Sequence, residues 1–182
     1  MKTAVIFDSI RRTTTSYRER IQTLQAANFE KTPADGTWSY SEVFAHIFDL
    51  SILSLDAIDR CLSMEAKKRR TPFIARAILF IGAFPPVMKL KVPKQFASRV
   101  KKISIAEAVS LMAEFELKLQ SYPKLVAQAD PNLKVAHPRL GYLNARQWLR
   151  FIEIHLKHHL KQLKRIDKLH NFTSLRNEDS GN

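Results

Sequence analysis

The fold is decided by the stretch Ile154-His155-Leu156-Lys157-His158-His159-Leu160-Lys161-Gln162, in which apolar residues recur at the spacing of a long amphipathic helix. Each helical residue advances by about 100°, so the spacing gives the direction of every side chain. With His155 at zero, His159 lies at roughly 40°, whereas His158 lies at roughly 300°. Apolar residues share the sector between roughly 20° and 80°: Trp148, Ile152, Leu163 and Ile166. His155 and His159 are therefore predicted to face the core, where an imidazole needs a partner.

A metal ion is one such partner. Histidines at positions i and i+4 lie on adjacent turns of one helix face, close enough for both rings to bind the same ion. A second helical pattern, residues 38–50, contains His46 at the edge of its own apolar stripe. Three inward-facing histidines from two helices could form a site with open positions for water or substrate. The alternative is that each histidine is a hydrogen-bonded core residue.

These histidines belong to a longer series of residues that spans most of the chain. In chain order it reads Trp38-Ser39…His46…His137-Pro138…Gly141…Trp148…His155…His158-His159…Gln162-Leu163. This series resembles the DinB-like superfamily, which includes YfiT-like proteins described as metal-dependent hydrolases and the bacillithiol S-transferases. The resemblance implies an all-α, up-down-down-up four-helix bundle with one metal ion held by three histidines. By position, those ligands are His46, His155 and His159.

Four helices are predicted, with a single domain over residues 1–170 and a flexible C-terminal tail at 171–182. The first covers residues 8–28, and the second runs from Ser39 to about residue 63. The third runs from Ser104 to a break or kink at Pro123, and the fourth from Asn144 to about residue 169. The last three begin with capping-box pairs: Ser39 with Glu42, Ser104 with Glu107, and Asn144 with Gln147.

The connection between the second and third helices is too long for an empty loop. Residues 73–84 are apolar enough for a short helix, ended by Gly82 and Pro85-Pro86, which we expect to pack over the open end of the bundle. Because this segment follows Lys67-Lys68-Arg69-Arg70, an interfacial membrane element is the alternative. A membrane span is excluded by its short length and by Arg76.

The charge of the chain is concentrated in this connection. The net charge is +13, and residues 66–106 contain eleven basic residues and no acidic one. A solvated basic surface is the simplest interpretation of the segment from Lys67 to Lys102. In the functional interpretations, the segment attracts an anionic substrate, an anionic membrane or nucleic acid. The candidates for attracting a substrate are Lys89, Lys91 and Lys94. No motif of a sequence-reading nucleic-acid module is present, so specific recognition of nucleic acid is not expected.

The remaining composition narrows the class of protein. Hydrophobic residues make up 45% of the chain, as in globular proteins, and four glycines are too few for a glycine-rich phosphate loop. The single cysteine, Cys61, excludes an intramolecular disulfide and is expected to be buried and unreactive. With no signal-like or transmembrane segment, a cytoplasmic location is expected.

Three polar side chains near the histidines are candidates for supporting roles, and a fourth is not. Glu42 and Asp49 could orient the ring of His46, although Glu42 is already a capping residue and Asp49 is expected to face solvent. Gln162, at roughly 340° from His155, could hydrogen-bond near the site. Glu153, at roughly 160°, faces away and is not expected to act as a general base. Catalytic residues are left open.

The predicted function is that of a metal-dependent enzyme, a hydrolase or a thiol S-transferase, acting on a small anionic or thiol substrate. Its cofactor is one divalent ion. Neutral imidazole is a good ligand for zinc, nickel or iron, and the sequence does not choose among them. The alternative is a non-catalytic metal-binding or stress-associated protein, or a basic-surface binder of an anionic membrane or nucleic acid. The family resemblance also makes a homodimer an expectation.

Overall fold

The computed structural model describes residues 2–33, 36–85 and 99–179, with side chains described up to residue 169. The described helices are α1 (Thr3–Gln22), α2 (Ala26–Phe29), α3 (Tyr40–Leu62), α4 (Phe73–Ile81), α5 (Ile105–Leu119), α6 (Tyr122–Gln128) and α7 (Ala145–Asp179). The described strands are β1 (Lys67–Lys68), β2 (Leu133–His137) and β3 (Gly141–Leu143). The basic residues Lys89, Lys91 and Lys94 lie outside the described residues.

The long helices α1, α3, α5 and α7 form a four-helix bundle, as predicted, in which α7 packs against α1 and α3 while α5 covers the other side of α3. Aromatic side chains fill its centre. The ring of Tyr17 meets those of Phe44 and Phe48 edge-on, with centroids 5.4 and 5.3 Å apart. The Tyr17 hydroxyl donates to the carbonyl of Leu156 at 2.8 Å. This bond fixes α7 beside α1 one residue from His155.

The three predicted capping boxes are present and set the starts of the long helices. The Ser39 hydroxyl accepts from the backbone N–H of Glu42, whose carboxylate accepts from the Ser39 N–H at 2.9 Å. Ser104 and Glu107 form the same pair, and Asn144 and Gln147 form its amide counterpart. Each cap contributes about 1 kcal/mol to stability. The caps therefore fix where α3 and α7, which carry the histidines, begin.

The bounds of α1 and α7 differ from the predicted ones. α1 begins at Thr3 rather than at residue 8, and it stops at Gln22 rather than continuing to residue 28. Its last turn is closed by the N–H groups of Thr23 and Leu24, and Gln25 then adopts an extended backbone with ψ 145°. α7 continues to Asp179, past the predicted end near residue 169. Residues 171–179 are thus helical, and the flexibility of the tail stays a prediction.

The helix is interrupted near Pro123, as predicted. α5 ends at Leu119, and Pro123 lies in the first turn of the separate helix α6. A proline is tolerated there because the first helical N–H groups have no intrahelical partner. No prediction covered the small antiparallel sheet β1-β2-β3, in which Lys67 pairs with Lys134 and His137 with Gly141. These strands are too short for their alternation to be recognised in the sequence.

The predicted helix in the long connection is present as α4, which ends at Ile81 and is capped by Gly82 with φ 80°. One side of α4 packs on α7 through Ala75, Ile78 and Leu79. Arg150 of α7 donates to the carbonyl of Leu79 at 3.0 Å. Within the described residues, neither α4 nor any other helix is both long and apolar enough to cross a membrane.

Candidate metal centre

His46 of α3 and His155 and His159 of α7 meet inside the bundle. All three side chains are buried, as their helical spacing predicted. One nitrogen of each ring lies within 4.8 Å of the others, and the Nε2 atoms of His155 and His159 are 3.0 Å apart. Zinc–nitrogen bonds of 2.0–2.1 Å place tetrahedral ligands about 3.3 Å apart. The pair His155 and His159 is close to this separation and His46 lies within reach, so the three histidines could hold a metal ion.

Neighbouring side chains orient two of the rings. The carbonyl oxygen of Gln162 accepts a hydrogen bond from His159 Nδ1 at 2.8 Å. With the proton held at Nδ1, the Nε2 atom of His159 keeps its lone pair for a ligand. The indole of Trp38 meets the His46 ring edge-on at 5.0 Å and stacks parallel to the His159 ring at 6.1 Å. Gln162 therefore has the role near the site that the sequence suggested.

The protonation state of the cluster suits a cation. Burial lowers the pKa of His46 to about 4 and holds the pKa values of His155 and His159 well below their usual range. Mutual repulsion between the rings acts in the same direction. The Nδ1 atom of His46 is buried and has no hydrogen-bond partner among the described residues. Three neutral imidazoles, one with an unsatisfied buried nitrogen, form a donor set that fits zinc, nickel or iron.

A cavity of about 920 Å³ adjoins the histidines. Its walls are mostly aromatic and aliphatic, and two arginines, Arg60 and Arg139, lie among the lining residues. Trp148 also lines it, and the indole Nε1 of Trp148 is buried without a hydrogen-bond partner in the described parts of the chain. A cavity of this size, apolar with a few polar groups, has the features of a small-molecule site.

Fold, histidine cluster and sequence agree with one family. The sequence model of the DinB superfamily matches residues 9–163. The chain belongs to the DinB superfamily. Among solved structures, the chain is similar to TT2238, described as a four-helix bundle protein, with a TM-score of 0.54 and 19% sequence identity over 90% of this chain and 96% of that one. This likeness concerns the fold alone. No curated protein matches the chain.

The carboxylates near the histidines of this DinB-superfamily protein are engaged elsewhere. Glu42 caps α3, and Asp49 is half-exposed and accepts from Arg99 at 2.8 and 2.9 Å. Glu153 is buried on another side of α7, where it pairs with Arg150 and with Lys157. Over the described ranges, the group able to hold a metal consists of His46, His155 and His159 alone.

His158 and His137 border the cavity of this DinB-superfamily protein without joining the metal cluster. His158, predicted to lie off the core stripe, is half-buried, with its ring 5.3 Å from that of Phe84. His137 ends β2 instead of lying in a loop. Its Nδ1 accepts from the backbone N–H groups of Arg139 and Leu140, both at 3.1 Å, which leaves the proton on Nε2. The motif His137-Pro138 is visible in the sequence, but β2 is too short to be recognised from its residues, so the place of His137 at the end of a strand was missed.

Cys61 is buried, as predicted, and its thiol contacts the carbonyl of Leu143 at 3.5 Å. Burial raises the pKa of the Cys61 thiol to about 11, so the thiolate needed for nucleophilic chemistry does not form at neutral pH. The protein's own cysteine is thus not a candidate nucleophile.

Proposed function

We propose that His46, His155 and His159 hold one divalent metal ion and that the protein is a metal-dependent enzyme, a hydrolase or a thiol S-transferase, acting on a small molecule. The observation that carries the proposal is the convergence of three buried, neutral imidazoles at the wall of a large cavity. A divalent ion with three protein ligands keeps an open position, where it lowers the pKa of a water or a thiol.

The residues around the cluster have separate tasks in this proposal. Gln162 keeps the proton of His159 on Nδ1, so that the ligating nitrogen is available. Trp38 restrains the rings of His46 and His159. The apolar part of the wall offers a surface for the hydrophobic part of a small molecule. Arg139 favours a substrate that carries a carboxylate or another anionic group, and Arg60, which already pairs with Glu65 at 2.7 Å, contributes less.

A non-catalytic metal site is the second candidate. Structural zinc sites are closed by four protein ligands, whereas the cluster in the described residues has three and adjoins a cavity. The enzyme is therefore favoured over the structural site. A homodimer and a cytoplasmic location, both expected from the sequence, stay predictions.

The first experiment is elemental analysis of untagged protein after reconstitution with zinc, nickel and iron. We expect one ion per chain in the wild type and in the matched control His158→Ala, and none in His155→Ala. A wild type that retains no ion would overturn the proposal.

A second measurement separates the enzyme from the structural site. Cobalt(II) replaces the native ion, and its visible absorption bands report the ligands around it. A small thiol should shift these bands if a coordination position is open. Unchanged bands at saturating thiol would favour the closed, non-catalytic site.

A further inference from the structure

α4 presents a second apolar face that the bundle does not cover. Its exposed side chains are large, with exposed fractions of 79% for Phe73, 66% for Ile74, 90% for Phe80 and 71% for Ile81. With Phe73 at zero, the other three lie between roughly −20° and 100°, so the four form one outward stripe. Ala75, Ile78 and Leu79 occupy the opposite, buried side. A surface helix that is apolar on both sides indicates a second binding partner.

The stripe is held in place by the bundle. Arg150 of α7 bonds the carbonyl of Leu79, and the N–H of Gly82 bonds the carbonyl of Ile78 at 2.8 Å. A Cβ atom at Gly82 would lie 2.2 Å from the guanidinium of Arg150, so the Arg150 side chain packs directly against the end of α4. At the other end, Pro72 packs against Gly141 of β3. α4 is therefore fixed at both ends with its apolar stripe facing outward.

Positive charge surrounds the stripe. Arg76, at roughly 300° from Phe73, is exposed at the edge of the stripe. Lys67, Lys68, Arg69 and Arg70 are all exposed immediately before α4, and β1 pairs with Lys134 of β2. The ion pairs found among the described residues do not include any of these five basic side chains.

From this arrangement we infer that α4 and the basic segment 67–70 dock the protein on an anionic phospholipid bilayer. Aromatic and aliphatic side chains flanked by lysine and arginine are the chemistry of an interfacial membrane helix. A second copy of this chain would bring two strongly basic surfaces together, and nucleic acid offers no site for the aliphatic side chains Ile74 and Ile81. α4 has nine residues, so it lies on the bilayer and does not cross it.

The docking helix also adjoins the cavity. Phe84, shortly after α4, lines the cavity wall, with its ring 6.3 Å from that of Phe151. Docking therefore brings the cavity close to the lipid surface. The inference does not depend on the metal, because none of the stripe residues belongs to the histidine cluster.

The test is flotation of the full chain with phosphatidylcholine vesicles that contain or lack phosphatidylglycerol. We expect binding only with phosphatidylglycerol, weakened by salt and unchanged after chelator treatment. Substituting Phe80→Ser together with Ile81→Ser should weaken binding by about tenfold or more. The matched control is Leu117→Ser on α5, a 70% exposed apolar residue away from the stripe, and it should bind like the wild type.

A direct readout uses the variant Phe80→Trp in the same vesicles made with brominated lipid. The lipid should quench the fluorescence of the tryptophan at position 80. It should not quench that of the control variant Leu117→Trp. Three results would overturn the inference. One is equal binding to both vesicle types. Another is binding that the double substitution leaves unchanged. The third is that the wild type does not bind vesicles but forms a dimer, and that the double substitution dissociates this dimer. That result would assign the stripe to a second copy of the chain.

Discussion

Gln162 lies one helical turn after His159, and its carbonyl oxygen accepts the Nδ1 proton of that histidine at 2.8 Å. The pair fixes the tautomer of a candidate ligand without adding a ligand of its own. Mutation of a side chain that orients a metal-binding histidine typically lowers metal affinity by about 10- to 100-fold.

Gln162→Leu is therefore expected to weaken zinc binding by about 10- to 100-fold. Gln162→Glu, which restores an acceptor, should recover most of the affinity. Competition with a chromophoric chelator gives both dissociation constants. Equal affinity in the wild type and the leucine variant would show that Gln162 does not orient His159.

Metal binding should stabilise the fold. An ion that binds only the native chain, present at a hundred times its dissociation constant, adds about 2.7 kcal/mol to the free energy of unfolding. For a chain of this length, that raises Tm by roughly 5–10 °C. Calorimetry with and without chelator should show the shift in the wild type and in His158→Ala, but not in His46→Ala. A shift of the same size in His46→Ala would place the ion elsewhere.

The histidine cluster was predictable because helical geometry is regular. Caps at Ser39 and Asn144 set the starts of two helices, and the spacing of apolar residues set their inward faces. The spacing therefore predicts that His46 and His155 face inward on their own helices, and the resemblance to the DinB-like superfamily implies the bundle that brings them together. The spacing could not separate a metal site from a core histidine, because both are buried in the same direction.

The parts that were missed depend on contacts distant in sequence. β2 is short, and it is ordered by pairing with β1 and β3 and by packing on α3. Because β2 was not predicted, the position of His137 at its end was not predicted either. α1 ends before Gln25, whose backbone is extended, although the sequence pattern continues past that residue. Local periodicity contains neither signal.

His137 should make stability depend on pH. Burial, with a smaller contribution from Arg139, lowers the pKa of His137 to about 4, against about 6.5 in an unfolded chain. As the pH falls below about 6.5, the unfolded chain takes up the proton first, so native stability falls progressively until about pH 4. His137→Asn keeps an acceptor for the N–H groups of Arg139 and Leu140 but cannot titrate.

The free energy of unfolding of His137→Asn should therefore fall less than that of the wild type between pH 7 and 4, by about 2 kcal/mol. Urea titrations in chelator at several pH values measure the difference, and chelator removes any contribution from metal. Identical pH profiles would mean that His137 does not account for the acid sensitivity.

Glu153 is predicted to stabilise α7 as the centre of a buried ion-pair network. Burial alone would raise the pKa of Glu153, but hydrogen bonds from Lys157, Ser9 and Arg150 outweigh burial and lower it. Removing one charge of a buried pair leaves the other uncompensated, at a cost of about 3–5 kcal/mol. Because Lys157 is exposed and solvent screens its charge, and because the amide keeps some of the hydrogen bonds, Glu153→Gln should lower the free energy of unfolding by about 2 kcal/mol.

The matched control is Glu116→Gln, which removes an exposed partner of Arg18 and should cost less than about 1 kcal/mol. Urea unfolding of both variants at neutral pH in chelator measures the contrast. Since Arg150 also bonds the carbonyl of Leu79, Glu153→Gln should increase hydrogen exchange in α4 before the rest of the bundle. Unchanged exchange in α4 would show that Arg150 holds that helix without help from Glu153.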